Sequence, residues 1–89
     1  MLNLITTNQF KKDLKKANKQ RKNIDVLSII IDLLQYEHDL DEKYSDHSLT
    51  GNWKKHRECH ISPDWLLIYQ IDQGELRLVR LGSHSELFS

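Results

Sequence analysis

The sequence predicts an α+β fold, in which two N-terminal helices pack on a mainly antiparallel, twisted sheet in the order β-α-α-β-β-β. Three observations point there. Apolar residues recur at helical spacing between Thr7 and Leu34, and from Trp53 onward the runs become strand-like. Ser62-Pro63-Asp64 and Asp72-Gln73-Gly74 are short turn signals that fold neighbouring strands back on each other.

Each element has its own justification. LNLIT is short and partly β-branched, and reads as a first strand. Thr7 or Asn8 is placed to cap a helix whose stripe is Phe10, Leu14 and Ala17, with lysines around it. Asn23 or Asp25 restarts a helix with a wider stripe of Val26, Leu27, Ile30, Leu33 and Leu34. The run Ile29-Ile30-Ile31 would suit a strand, but helical spacing continues on both sides of it. HDLDEKYSDHSLTG keeps no period and ends in glycine, so it is expected to be a loop.

From Trp53 the period becomes two. Trp53, Lys55, Arg57 and Cys59 are expected on one strand face, and Lys54, His56, Glu58 and His60 on the other. WLLIYQI is apolar almost throughout, as a buried central strand should be, and ELRLVRL is the strand after it. SHSELFS is left as a short tail.

Eighty-nine residues suit one domain, 1–89, since a chain of this size buries only about 60–65% of its unfolded surface. No apolar run approaches the roughly 18–20 residues that span a bilayer, so no membrane partner is expected. MLNLITTNQF lacks the pattern of a signal peptide, and one cysteine forms no internal disulfide. A reducing cytoplasm is the simplest setting. The net charge of zero hides a segregation: residues 1–22 carry seven Lys or Arg against one Asp, and residues 23–46 carry seven Asp or Glu against one Lys. The basic block is either the solvated face of a helix or a surface for phosphates or an acidic partner.

The densest set of reactive side chains is DHSLTGNWKKHRECHISPDW, residues 46–65. His56 and His60 are four apart, but on a strand that spacing separates them by about 13 Å. A zinc ligand must lie about 2.0–2.3 Å from the ion, so no metal and no other cofactor is expected. Proton transfer suits the same residues better. Metal-free RNA cleavage needs a base for the 2′-hydroxyl, an acid for the leaving 5′-oxygen, and a cation for the phosphate charge. Histidine titrates near neutral pH, and the arginine fork binds two phosphate oxygens. His47, His60, Asp64 and His84 are the candidate proton carriers; Arg57, Arg77 and Arg80 are the candidate clamps. Trp65 and Phe88 are candidates for stacking on bases.

Three blocks then carry a resemblance. DHSLTGNWKKHRECHISPDWLLIYQI, a hydrophobic strand, and RLGSHSELF follow one another as they do in the YafQ-like branch of the RelE-type bacterial ribonuclease toxins. The chain resembles that family over nearly its whole length, which implies a RelE-like domain. It also implies a toxin of a toxin–antitoxin module that cuts mRNA in the ribosomal A site without metal, leaving a 2′,3′-cyclic phosphate. By the resemblance His84 is the general acid, His60 or Asp64 the base, His47 an assistant and Arg80 the phosphate clamp. Trp65 and Phe88 would place nucleotides or the catalytic histidine, and Lys54, Lys55 and Arg57 would touch RNA phosphates. A small antitoxin, mRNA and the ribosome are the partners implied.

Plainer readings stand beside these. Asp64 closes a turn, Arg80 pairs with a carboxylate, Trp65 is core, Phe88 plugs the sheet, and Cys59 is a small buried residue. Two other functions compete: a non-catalytic RNA- or protein-binding member of the same fold, and a small metal-dependent hydrolase.

Overall fold

Thr7 and Asn23 open the two long helices of the computed structural model, which describes residues 1–88. Thr7 Oγ1 accepts from the Phe10 N–H at 2.9 Å, and donates to the Val79 carbonyl at 2.8 Å. That one hydroxyl starts helix α1 (Asn8–Lys19) and fastens it to the sheet. Phe10 and Ala17 are buried with Leu14 packed beside them, as the stripe predicts, and Lys16 and Lys19 complement the dipole in the last turn. Asn23 Oδ1 accepts from the Val26 N–H at 3.2 Å and opens α2 (Ile24–Gln35). The isoleucine run is helical: Ile30 is fully buried while Ile29 is 55% exposed.

The strands are β1 (Asn3–Thr6), β2 (His47–Ser48), β3 (Arg57–Ser62), β4 (Trp65–Asp72) and β5 (Glu75–Gly82), in the spatial order β1-β5-β4-β3-β2. β1 runs parallel to β5 and every other pair is antiparallel. Gln73 and Gly74 both take positive φ, 49° and 77°, which gives the two-residue turn whose twist matches the hairpin.

β4 is buried on both faces, which explains its continuous apolar run. Leu67 and Tyr69 join Cys59, Leu76, Leu78 and the stripes of α1 and α2 in the main core. Leu66 and Ile68 face the other way and pack with Leu87, Leu49, Trp53 and Val79. The site described below lies on this second, thinly covered face.

Three expectations change. The strand foreseen from Trp53 begins only at Arg57, because Gly51–Trp53 forms one 3₁₀ turn and Lys55 takes a left-handed φ of 69°. The N–H groups of Lys54 and His56 bond back to Gly51 and Trp53, so this segment turns instead of joining a ladder. Trp53 therefore packs on the face opposite Cys59. The loop contains β2, which pairs His47 with Glu58 and Ser48 with Arg57. The tail, up to Phe88, is a short helix, α3 (His84–Phe88). Glu86 Oε1 accepts from the Ser83 N–H at 2.9 Å, and Ser83 Oγ accepts from the Glu86 N–H at 3.3 Å, a reciprocal capping box. No helix among the described residues is long and apolar enough to cross a membrane.

Candidate active site

Period two on β3 aims Glu58 and His60 at the second face of the sheet, beside Ile68 and Leu66, their partners on β4. β2 lays His47 over Glu58, and the capping box at Ser83 starts α3 so that His84 arrives from a third segment. The result is a cluster around one carboxylate. Glu58 Oε1 lies 3.2 Å from His47 Nε2 and 3.3 Å from His60 Nε2, and the residue is only 4% exposed.

The hydrogen-bond pattern assigns protons. His47 Nδ1 sits 2.6 Å from the Ser45 carbonyl, which only accepts, so Nδ1 carries a hydrogen. Its Nε2 then faces a carboxylate oxygen of Glu58. His60 presents its Nε2 to the same oxygen, which leaves Nδ1 as the ring nitrogen without this carboxylate contact. A buried carboxylate flanked by two imidazoles is thereby compensated.

The rings form a row. His47 and His60 have centroids 6.4 Å apart, and His60 and His84 are 5.5 Å apart. Asp64, in the β3–β4 turn, bonds the His84 backbone N–H at 3.2 Å and lies 3.4 Å from its Nδ1. Phe88 stands 6.0 Å from the His84 ring and meets Trp53 edge-on at 6.2 Å. Clefts open on both sides of the Pro63–Asp64 turn. One of about 530 Å³ lies between His60, Pro63 and Tyr44, and one of about 340 Å³ lies between Asp64, Lys16 and Ser83.

Four of the expected catalytic residues, His47, His60, Asp64 and His84, are thus brought together. Arg80 is engaged elsewhere: its Nε lies 2.8 Å from Asp13 Oδ2 on α1, and Nη2 leans on the same carboxylate. Burial alone would raise the Asp13 carboxyl, but bonds from Arg80, the Leu81 N–H and Gln9 hold it below the ordinary range. Trp65 is 3% exposed in the main core and leaves no free face for a base to stack on, so its expected contact with RNA is corrected to packing. Phe88 is exposed and stays available, as do Lys54 and Lys55. Arg57 is tied to Asp46 and Ser48. Cys59 points into the main core, where burial pushes its thiol up to about 12, so it is no nucleophile.

Glu58 was not among the residues expected to act. A glutamate on a half-polar strand reads as a solvent-facing side chain, and its burial depends on β2 closing over it. The metal question also changes. His56 leaves the strand and its Nδ1 faces the Lys54 carbonyl, but Glu58, His60 and His84 offer ligand atoms within 4.8 Å of one another. Imidazole and carboxylate side chains from β3 and α3 suit copper or zinc.

Comparison with known proteins follows the same lines. Residues 2–89 match the family of YafQ, bacterial toxin of type II toxin–antitoxin systems. The mRNA interferase toxin YafQ of Escherichia coli K12 is 41% identical over 81 residues, covering 90% of this chain and 88% of the relative. Among solved structures, a copper-bound mutant toxin from Helicobacter pylori superposes with a TM-score of 0.96 at 45% identity, covering 99% of this chain and 100% of that one. The toxin of the E. coli DinJ–YafQ complex superposes with a TM-score of 0.92 at 37% identity, covering 100% of both chains.

Proposed function

Because the chain belongs to the YafQ family of type II toxin–antitoxin toxins, we propose that it is a toxin of this kind, an mRNA interferase kept silent by a small antitoxin. It acts in the cytoplasm on mRNA held in the ribosomal A site. The observation that carries this reading is the convergence of three histidines and two carboxylates, from four separate segments, on one face of the sheet.

The chemistry is attack of the RNA 2′-oxygen on the adjacent phosphorus. His60 takes the 2′-hydroxyl proton on its free ring nitrogen, while Glu58 holds the ring by its other N–H. Asp64 is committed to His84, which favours His60 over Asp64 as the base. His84 gives its proton to the 5′-oxygen as the P–O bond breaks, leaving a 2′,3′-cyclic phosphate and a 5′-hydroxyl. Asp64 holds His84 in place through its backbone N–H and lies beside its ring. His47 answers the Glu58 charge from behind, and Arg80 turns its remaining donors to the phosphate. Phe88 packs against His84, and the clefts beside the Pro63–Asp64 turn take the flanking nucleotides. Acid and base each contribute about 10²–10⁴-fold.

This proton chemistry needs no metal. Glu58, His60 and His84 would hold a copper or zinc ion, which would supply Lewis-acid stabilisation of phosphate charge when bound.

The test is incubation of purified protein with translating ribosomes in EDTA, with the cut ends mapped. Cleavage leaving cyclic phosphate, lost in His84→Ala, is expected. Intact message with the wild type, or unchanged cutting by the variant, would sink the reading. RNA binding that weakens steeply with salt but cuts nothing would instead identify a non-catalytic member of the fold.

A further inference from the structure

We propose that Arg57 is a positioning residue for His47, working with Asp46 and Tyr69, and not a contact to RNA. The inference rests on the role given to His47 in the ribonuclease reading.

Arg57 straddles the two neighbours of His47. Its Nε lies 3.3 Å from Asp46 Oδ1 and its Nη1 lies 3.2 Å from Ser48 Oγ. Asp46 Oδ1 also accepts the Tyr69 hydroxyl at 2.5 Å. Tyr69 is 1% exposed in the main core, so the clamp ends on an immobile anchor. Burial, and then the Asp46 charge, push the phenol well above its ordinary range, which keeps it a donor at any working pH.

Direction separates the clamp from the site. Arg57 and Tyr69 are cross-strand partners, and Tyr69 faces the helices. Glu58 alternates with Arg57 along β3, so the guanidinium leaves the sheet on the side away from the histidine row. A phosphate at the cleavage site would lie on the other face.

The clamp has a task because β2 cannot hold itself. It is two residues long, and so short a ladder is marginal without outside support. His47 is half exposed, yet its Nε2 must stay 3.2 Å from Glu58. Fixing Asp46 and Ser48 fixes the residue between them. Two bonds in different directions from one planar cation suit arginine and not lysine.

Three full-length variants test this: Arg57→Gln, Asp46→Asn and Tyr69→Phe, the last removing only a hydroxyl. Three readouts are needed: the cleavage rate at saturating message, the salt dependence of RNA affinity, and the ¹⁵N–¹H ring signals of the histidines. We expect the saturating rate to fall by about ten- to hundredfold, the loss typical of a displaced catalytic group. RNA affinity and its salt slope should stay at wild-type values, while the His47 ring signals move and those of His60 and His84 do not. A salt slope lower by about one, with His47 signals unmoved, would make Arg57 a phosphate contact and overturn the proposal. Wild-type cutting by all three variants would overturn it too. If the wild type itself cuts no RNA, the ribonuclease reading fails, and the His47 signals still decide whether the clamp exists.

Discussion

Asp64 and His84 meet through one oxygen: Oδ1 of the aspartate accepts the histidine backbone N–H at 3.2 Å and lies 3.4 Å from its ring Nδ1. The β3–β4 turn and the start of α3 are therefore joined at the residue proposed to donate the proton. Asp64→Asn keeps an acceptor of the same size but removes the negative charge beside the His84 ring. The saturating cleavage rate should fall about tenfold in Asp64→Asn and about 10³-fold in His84→Ala. Equal rates for wild type and Asp64→Asn would take Asp64 out of the site and leave it a turn residue.

Glu58 gathers His47 and His60 on one oxygen. Glu58→Gln is nearly isosteric, so far-UV circular dichroism should stay unchanged. The substitution keeps an oxygen in place but removes the negative charge that His47 and His60 both face. Single-turnover cleavage should slow at least about tenfold. A variant as fast as wild type would assign Glu58 to packing alone.

The histidines proposed to carry protons are also those placed to ligate a metal. Copper(II) held by Glu58, His60 and His84 should therefore inhibit cleavage, and EDTA should restore it. Calorimetric titration should find one site, weakened at least about tenfold in His84→Ala, within the range that loss of such a partner costs. Full cleavage by a copper-loaded wild type would contradict the proposed use of these histidines.

Asp13 links the two halves of the chain through Arg80 and the Leu81 N–H. Its carboxyl lies below the ordinary value of 3.8: burial works to raise it, and the Arg80 and Leu81 bonds outweigh that. A carboxyl held lower in the folded chain adds stability above its unfolded value, and loses it as pH falls through its folded value. Asp13→Asn should thus differ most from wild type at neutral pH, and the two should converge as pH falls below 3.8 and through the lowered folded value. Urea unfolding across that range is the measurement; a difference constant with pH would mean the contact is not ionic.

The helices and the two long strands were legible because burial leaves a periodic mark on neighbouring residues. The alternation predicted beyond Trp53 was false for a local reason. Lys55 adopts φ of 69°, and a lysine carries no sign of that conformation. α3 could have been foreseen from Ser83-x-x-Glu86, but five residues are too few to show an apolar stripe. In the site, His47, His60, Asp64 and His84 were marked by their motifs. Glu58 was not, because its burial comes from a two-residue strand ten positions away. Arg80 and Asp13 lie 67 residues apart, and no short-range pattern reports such a pair.

The parallel pairing of β1 with β5 sets Asn3 beside Glu75 and Thr6 beside Leu78. So long a loop is slow to close, and contacts across it form late. The Asp13–Arg80 bond, which ties α1 to β5, depends on the same closure. A chain that has joined only β3, β4 and β5 carries His60 and His84 but lacks the Asp13 carboxylate that holds Arg80. For a protein whose activity harms its own cell, completion of the fold and onset of danger coincide.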